Sequence, residues 1–148
     1  LLEHLFYPTD AMGLLKEIHR VLEPGGIVRI VVPDIEQCLR AYQENNAAFF
    51  EQRVEHWGAG DGNATRLEHF LSYAGAGPDP AWLFEAHKFG YDFETLERAL
   101  QRAGFKTIHR SQFMGSEHAA LRVDEHSQVA SAKFGDNYYS LFVEAQKE

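Results

Sequence analysis

Apolar side chains near the start of the chain recur at helical spacing: Ala11, Leu14, Leu15, Ile18 and Val21. This predicts a helix that runs to about Leu22, with Thr9 or Asp10 able to cap it. Pro24, Gly25 and Gly26 stop it. Next comes IVRIVV, Ile27 to Val32, a β-branched and nearly continuous apolar run bounded by glycine and proline. Such a run suits a strand covered on both faces, as in a parallel sheet. Helix, tight turn and buried strand make half of an α/β crossover unit. Asp34 can cap a second helix from Ile35 to roughly His56. A shorter helix is predicted over Arg66–Ala74, and GAGPDP interrupts the chain after it. Asp92 to Ala103 reads as a further helix with Phe93, Leu96, Ala99 and Leu100 inward and Gly104 as its stop. Phe105–Phe113 reads as a strand, Met114–Asp136 as irregular and polar, and Tyr138–Gln146 alternates as a closing strand. The fold class expected is α/β, with about three strands and three or four helices, part of a doubly wound sheet rather than a whole one.

The bulk properties narrow the classes. The 148 residues are 45% apolar and 24% charged, enough for one domain with a core. No apolar run approaches the ~20 residues that span a bilayer, and no basic start leads into an apolar stretch, so neither a membrane span nor a secretory leader is expected. The chain begins with leucine, which reads as a cut or processed end. The single Cys38 cannot form an internal disulfide, which fits a reducing, cytoplasmic setting. The formal net charge is −8, with 14 basic residues against 22 acidic ones. No basic run is present, which argues against a nucleic-acid partner.

VEHWGAGDGNAT places Gly58, Gly60 and Gly62 at alternate positions, a spacing that can cradle a nucleotide or nucleoside cofactor. Such a loop needs a strand before it, so that the backbone amides and the following helix terminus point at the ligand. The preceding FFEQRVEH reads as helix. The glycines are therefore expected to be a flexible connection.

LLEHL and LLKEIHRVLEPGGIVRIVVPDIE resemble the class I S-adenosylmethionine-dependent methyltransferases, from the end of their fourth strand through their fifth. The HRVLEPGG turn and the strand ending in VPD are the most specific part. HKFGYDFETLERALQRAGFKTIHRSQF resembles the family's last helix and sixth strand, and YYSLFVEAQ its seventh, antiparallel strand. The resemblance is closest to the type 11-like, small-molecule or saccharide-related subgroup. It implies the C-terminal half of a Rossmann-like fold: a helix-strand-helix part over 1–42, a helical insertion over 43–84 that would set acceptor specificity, and a C-terminal helix and strand pair over 85–148. The family's cofactor loop follows its first strand, upstream of LEHL. The resemblance thus implies an enzyme that uses S-adenosylmethionine and a small-molecule acceptor, of which this chain is the acceptor-side half and inactive alone. It also implies an open edge on Ile27–Val32, to be filled by a homodimer or a missing N-terminal half. Two other readings stand beside it: a truncated, non-catalytic copy that acts by assembly with another chain, and another nucleotide-binding α/β enzyme, since fold alone does not fix function.

The resemblance assigns roles to particular residues. Glu3 and His4 match the loop that lines the cofactor pocket, although Glu3 also suits a helix start and His4 a packed position. A related Glu-His pair helps to hold a divalent metal in some O-methyltransferases of ubiquinone synthesis. Those sites use a further upstream acid, which Leu1 and Leu2 do not supply, so no metal is expected. Asp34 lies at the carboxyl end of the presumed parallel strand, the edge where open α/β sheets bind ligands, and is equally a helix cap. His87, Lys88 and Tyr91 precede a helix in a segment that closes over the active site in the resembling subgroup. There His87 is the candidate proton acceptor, and Asp34, Lys88 and Tyr91 are candidates for substrate binding. The competing reading is a hydrophobic staple in which Phe89 and Tyr91 pack against the helix start. His118, Asp124 and His126 lack tight ligand spacing and read as a solvated loop. Trp57 and Trp82 suit either stacking on a substrate or packing.

Overall fold

The computed structural model describes residues 1–57, 63–74 and 86–148. Gly58, Gly60 and Gly62, the GAGPDP stretch and Trp82 lie outside these residues. A 3-10 turn, Leu2–His4, leads into α1 (Asp10–Val21) and β1 (Ile27–Pro33). Three helices follow, α2 (Ile35–Gln43), α3 (Ala47–Trp57) and α4 (Arg66–Ala74), and then α5 (Phe93–Ala103) and β2 (Thr107–Arg110). After two further 3-10 turns come a short α6 (Gln128–Ser131), β3 (Lys133–Phe134), β4 (Asn137–Tyr138) and β5 (Ser140–Gln146). Among the described residues no helix is long and apolar enough to cross a membrane.

The fold is mixed α/β, built on a three-stranded sheet in the order β1–β5–β2. β5 runs antiparallel to both neighbours, from Ile27↔Gln146 to Pro33↔Ser140 on one side and from Thr107↔Gln146 to Arg110↔Val143 on the other. This corrects the sequence reading in two respects. Among the described residues the sheet contains no parallel strand pair, and most residues of β1 are half-buried rather than covered on both faces, while the open edge expected on Ile27–Val32 is present. The strand set differs too, since β3, inside the stretch expected to be irregular, forms a separate two-stranded ladder with β4, which takes Tyr138 from the expected closing strand. The fully enclosed strand is β5, buried from Ser140 to Ala145.

Period-two alternation divides the sheet's faces. Val32, Leu141, Val143 and Ala145 join Ala11, Met12 and Leu15 of α1 and Leu96, Ala99, Leu100 and Ala103 of α5 in one core. Each fully buried leucine there contributes ~1.5–3 kcal/mol of burial. α5 is bounded as its sequence requires. The Asp92 carboxylate accepts from the Thr95 amide at 2.8 Å, and Gly104 closes the helix in the left-handed region at φ 113°. A second core gathers Cys38 and Ala41 of α2, Phe49 and Phe50 of α3, Tyr73 of α4, Ala132 and Tyr139.

The single helix expected from Ile35 to His56 is two. Asn45 takes a left-handed φ of 57°, which asparagine tolerates, and Asn46 Oδ1 then accepts from the Phe49 amide at 3.2 Å. The strand expected over Phe105–Phe113 is confined to Thr107–Arg110, because Phe105 turns into the α1/α5 core.

On the sheet's other face lies Arg29, with a side chain only 5% exposed. It holds Asp124 through Nε at 3.1 Å and Nη2 at 2.6 Å, and pairs with Glu144 through Nη1. It also donates to Ser111 Oγ and the Gln112 carbonyl. The Met114 amide donates to Asp124 at 2.7 Å. One guanidinium thus ties the loop after β2 to the sheet. Burial pulls the Arg29 pKa down, but Asp124 and Glu144 outweigh it and the net direction is up.

Candidate functional site

The first residues and the segment before α5 meet at the carboxyl end of β1. The Glu3 carbonyl accepts from the backbone amides of Lys88 and Phe89 at 2.6 and 3.2 Å. The Phe89 ring stacks on Tyr7 with centroids 4.5 Å apart. These contacts dock residues 87–89 on the Leu2–His4 turn. His4 and His87 then lie edge to face, centroids 5.0 Å apart, and the Glu3 carboxylate, 9% exposed, sits beside them with Oε1 3.5 Å from His4 Nε2. One ligand-type atom from each of Glu3, His4 and His87 falls within 4.8 Å of the others. The other carboxylate oxygen, Glu3 Oε2, takes the Leu1 ammonium at 2.8 Å.

His87 is oriented from behind. Its Nδ1 lies 2.8 Å from the carbonyl of Tyr73, in the last turn of α4. A carbonyl only accepts, so Nδ1 carries the proton and Nε2 keeps the lone pair. The bond also satisfies one of the carbonyls that every helix end leaves open. Burial holds the His87 pKa below the usual histidine value. The Tyr73 carbonyl and Glu3 oppose this, and His4 and Arg53 add to it.

The other predicted residues fall nearby in different roles. Asp34, 2% exposed, caps α2 by accepting from the amides of Glu36 at 3.0 Å and Gln37 at 3.4 Å, and from Gln37 Nε2 at 3.2 Å. It also bridges in parallel to Tyr91. Its carboxylate borders a polar cleft of about 340 Å³ that includes Gln37, Arg110, Gln112 and Asn137. Tyr91 is a core residue, 1% exposed and packed edge to face against Tyr7 and Phe89. Its hydroxyl is buried without a hydrogen-bond partner among the described residues, and burial pushes its pKa up to about 12. Lys88 turns its ammonium to the Ala86 carbonyl at 3.0 Å. The structure thus brings Glu3, His4 and His87 together, and places Asp34 and Tyr91 at the same strand end with their side chains in cap and core.

The loop residues separate. His118 and His126 are exposed, and His126 Nε2 lies 3.5 Å from Glu125. Asp124, expected in a solvated loop, is instead buried against Arg29 because β1 supplies a cation there. Trp57 packs edge to face on Tyr139 at 5.2 Å.

Arg53 was not foreseen. It is 7% exposed, lies 4.6 Å over the Tyr73 ring, and has an Nη1 with no hydrogen-bond partner among the described residues. Burial lowers its pKa, opposed by the side chains of Tyr73, Cys38 and Tyr139. A signal existed: Arg53 shares the helical stripe of Phe49, Phe50 and Trp57. No family model matches the chain, and no characterised protein is significantly similar to it.

Proposed function

We infer that this chain is the acceptor-side half of an S-adenosylmethionine-dependent methyltransferase with a Rossmann-like fold, acting on a small-molecule acceptor. The supporting observation is the convergence of Glu3, His4 and His87 at the carboxyl end of β1, beside an edge of that strand that is unpaired among the described residues. Ligands of open α/β sheets bind at such strand ends. A strand preceding Leu1 would run beside β1 and carry the cofactor-binding half of the sheet toward this cluster.

In this reading the acceptor's oxygen or nitrogen attacks the methyl carbon of the sulfonium. The carbon–sulfur bond breaks, and its electron pair stays on sulfur as a neutral thioether. Positioning does most of the work. The acceptor's proton passes to Nε2 of His87, whose lone pair is fixed by the Nδ1 bond to Tyr73. Glu3 and His4 form the adjoining wall on the cofactor side, with Asp34 and Lys88 toward the acceptor and Tyr91 packed in the core behind them.

Calorimetry with S-adenosylmethionine and its demethylated product tests the reading, run on this chain and on a reading frame extended upstream. The extended protein should bind both, and this chain should bind neither appreciably. Low-micromolar binding by this chain alone would remove the half-enzyme reading. In the extended enzyme His87→Ala should lower turnover by about 10²–10⁴-fold while cofactor affinity holds. The open edge of β1 also supports the second reading, a non-catalytic copy that works by pairing with another chain. An extended protein that binds no cofactor and sediments as a strand-paired dimer would favour it.

A further inference from the structure

We propose that Glu3, His4 and His87 form a binding site for a divalent first-row transition metal, with Zn²⁺ as its probe. The ligand atoms lie within 4.8 Å of one another before any metal is present. Tetrahedral zinc, with bonds of ~2.0–2.2 Å, places neighbouring ligand atoms about 3.4 Å apart. The separation of Glu3 Oε1 and His4 Nε2 is already 3.5 Å, so closure needs only a small approach by the His87 ring.

Three further features make this more than a chance meeting of titratable groups. The Tyr73 carbonyl takes the Nδ1 proton of His87 at 2.8 Å, the outer-shell contact that orients ligating histidines and raises their basicity. The ligands come from two segments tied through the Glu3 carbonyl to the Lys88 and Phe89 amides, so their spacing is held by backbone. The buried Tyr91 hydroxyl has no hydrogen-bond partner among the described residues and lies close enough to Glu3 to feel its charge. Two imidazoles and one carboxylate select zinc, cobalt, nickel or copper over magnesium and calcium, which prefer oxygen donors. Three protein ligands leave a fourth position open.

The site departs from the one the resemblance would imply, because it uses no upstream acid and takes its third ligand from the segment before α5. It stands whether or not the chain serves methyl transfer. In a methyltransferase its consequence is competition: a metal on Nε2 of His87 occupies the lone pair that would receive the acceptor's proton, so metal occupancy would switch the base off.

The test is titration of Zn²⁺ into this chain, stripped with chelator and carrying no histidine tag, by calorimetry and by histidine side-chain NMR. The expected result is one equivalent bound, with shifts confined to His4 and His87 and no response to Mg²⁺. Glu3→Gln, His4→Ala and His87→Ala should each weaken binding by more than the ~10–100-fold that loss of an orienting partner costs. His118→Ala and His126→Ala should leave it unchanged. Shifts at His109, His118 or His126 in place of His4 and His87, or unaltered affinity in a folded His87→Ala protein, would overturn the proposal. So would the absence of binding to the wild-type chain. The NMR readout needs no variant, so a ligand substitution that fails to fold leaves the test intact.

Discussion

Replacing Arg29 by methionine keeps an unbranched apolar stem beside Phe142, whose ring lies 5.3 Å from the guanidinium carbon, and removes the charge. Asp124 and Glu144, 3% and 2% exposed, would then share a buried space with no guanidinium. Ser111 Oγ and the Gln112 carbonyl lose their donor as well. Breaking a buried pair by removing one partner costs ~3–5 kcal/mol, because the remaining charge stays desolvated. A domain of this size has only ~5–15 kcal/mol to lose. Urea unfolding, with a slope of ~1–3 kcal/mol per molar for small proteins, should show the midpoint falling by about 2 M. Hydrogen exchange should open first over residues 111–126, the loop that the network ties down. Arg29→Met combined with Asp124→Asn and Glu144→Gln should recover much of the loss, since the uncompensated charges go with their partner. A loss below ~1 kcal/mol, the range of exposed pairs, would refute the reasoning and mean that water reaches these carboxylates.

Other perturbations test the architecture at separate points. Asp92→Ala should cost ~1 kcal/mol by uncapping α5. The Thr95 hydrogen bond holds the Asp92 pKa below the usual carboxylate value. The carboxylate's contribution is therefore present above the unfolded carboxyl pKa and lost as pH falls through the folded one. Denaturation curves of wild type and variant should converge in acid below about pH 4. The Cys38 thiol, 0% exposed and pushed up to about 12 by burial, should resist a thiol reagent until denaturant opens the fold; rapid stoichiometric labelling of the native protein would contradict its placement. Gly104→Ala should destabilise by ~1–3 kcal/mol in thermal unfolding, because φ is 113° and a Cβ would sit 2.9 Å from His19 Cε1. An unchanged melting temperature would mean that the backbone there relaxes freely.

What the sequence disclosed was local. α1, α4 and α5 were legible because their apolar spacing and their stops lie in contiguous residues, as Asp92 and Gly104 show for α5. The break between α2 and α3 was missed because no glycine or proline marks it; the pair Asn45–Asn46 does the work, one by its left-handed backbone and the other as a cap. The burial of β1 was misjudged because an apolar run does not say whether both faces of a strand are covered. Its one charge, Arg29, finds its partners in the loop after β2 and in β5. The same limit applies at the candidate site. Glu3, His4 and His87 were each noticed in their own motifs. Their meeting depends on two backbone amides docking to the Glu3 carbonyl, which no spacing in either segment encodes.

The place of β5 sets the order in which the chain can become a sheet during its synthesis. β1 and β2 never touch as strands, and Gln146 faces Ile27 on one side and Thr107 on the other. Both outer strands leave the ribosome before the strand that joins them. Throughout that interval neither outer strand has β5 to pair with, and the apolar faces of α1 and α5 await Leu141, Val143 and Ala145. Pairing across so long a stretch of chain is intrinsically slow, because the loop must be closed before its contacts repay the ordering. A nascent chain arrested before Ser140 should accordingly be a chaperone client, with its helices formed and β1 and β2 still unjoined. Release of the last strand should then complete β1, β5 and β2 in one cooperative step.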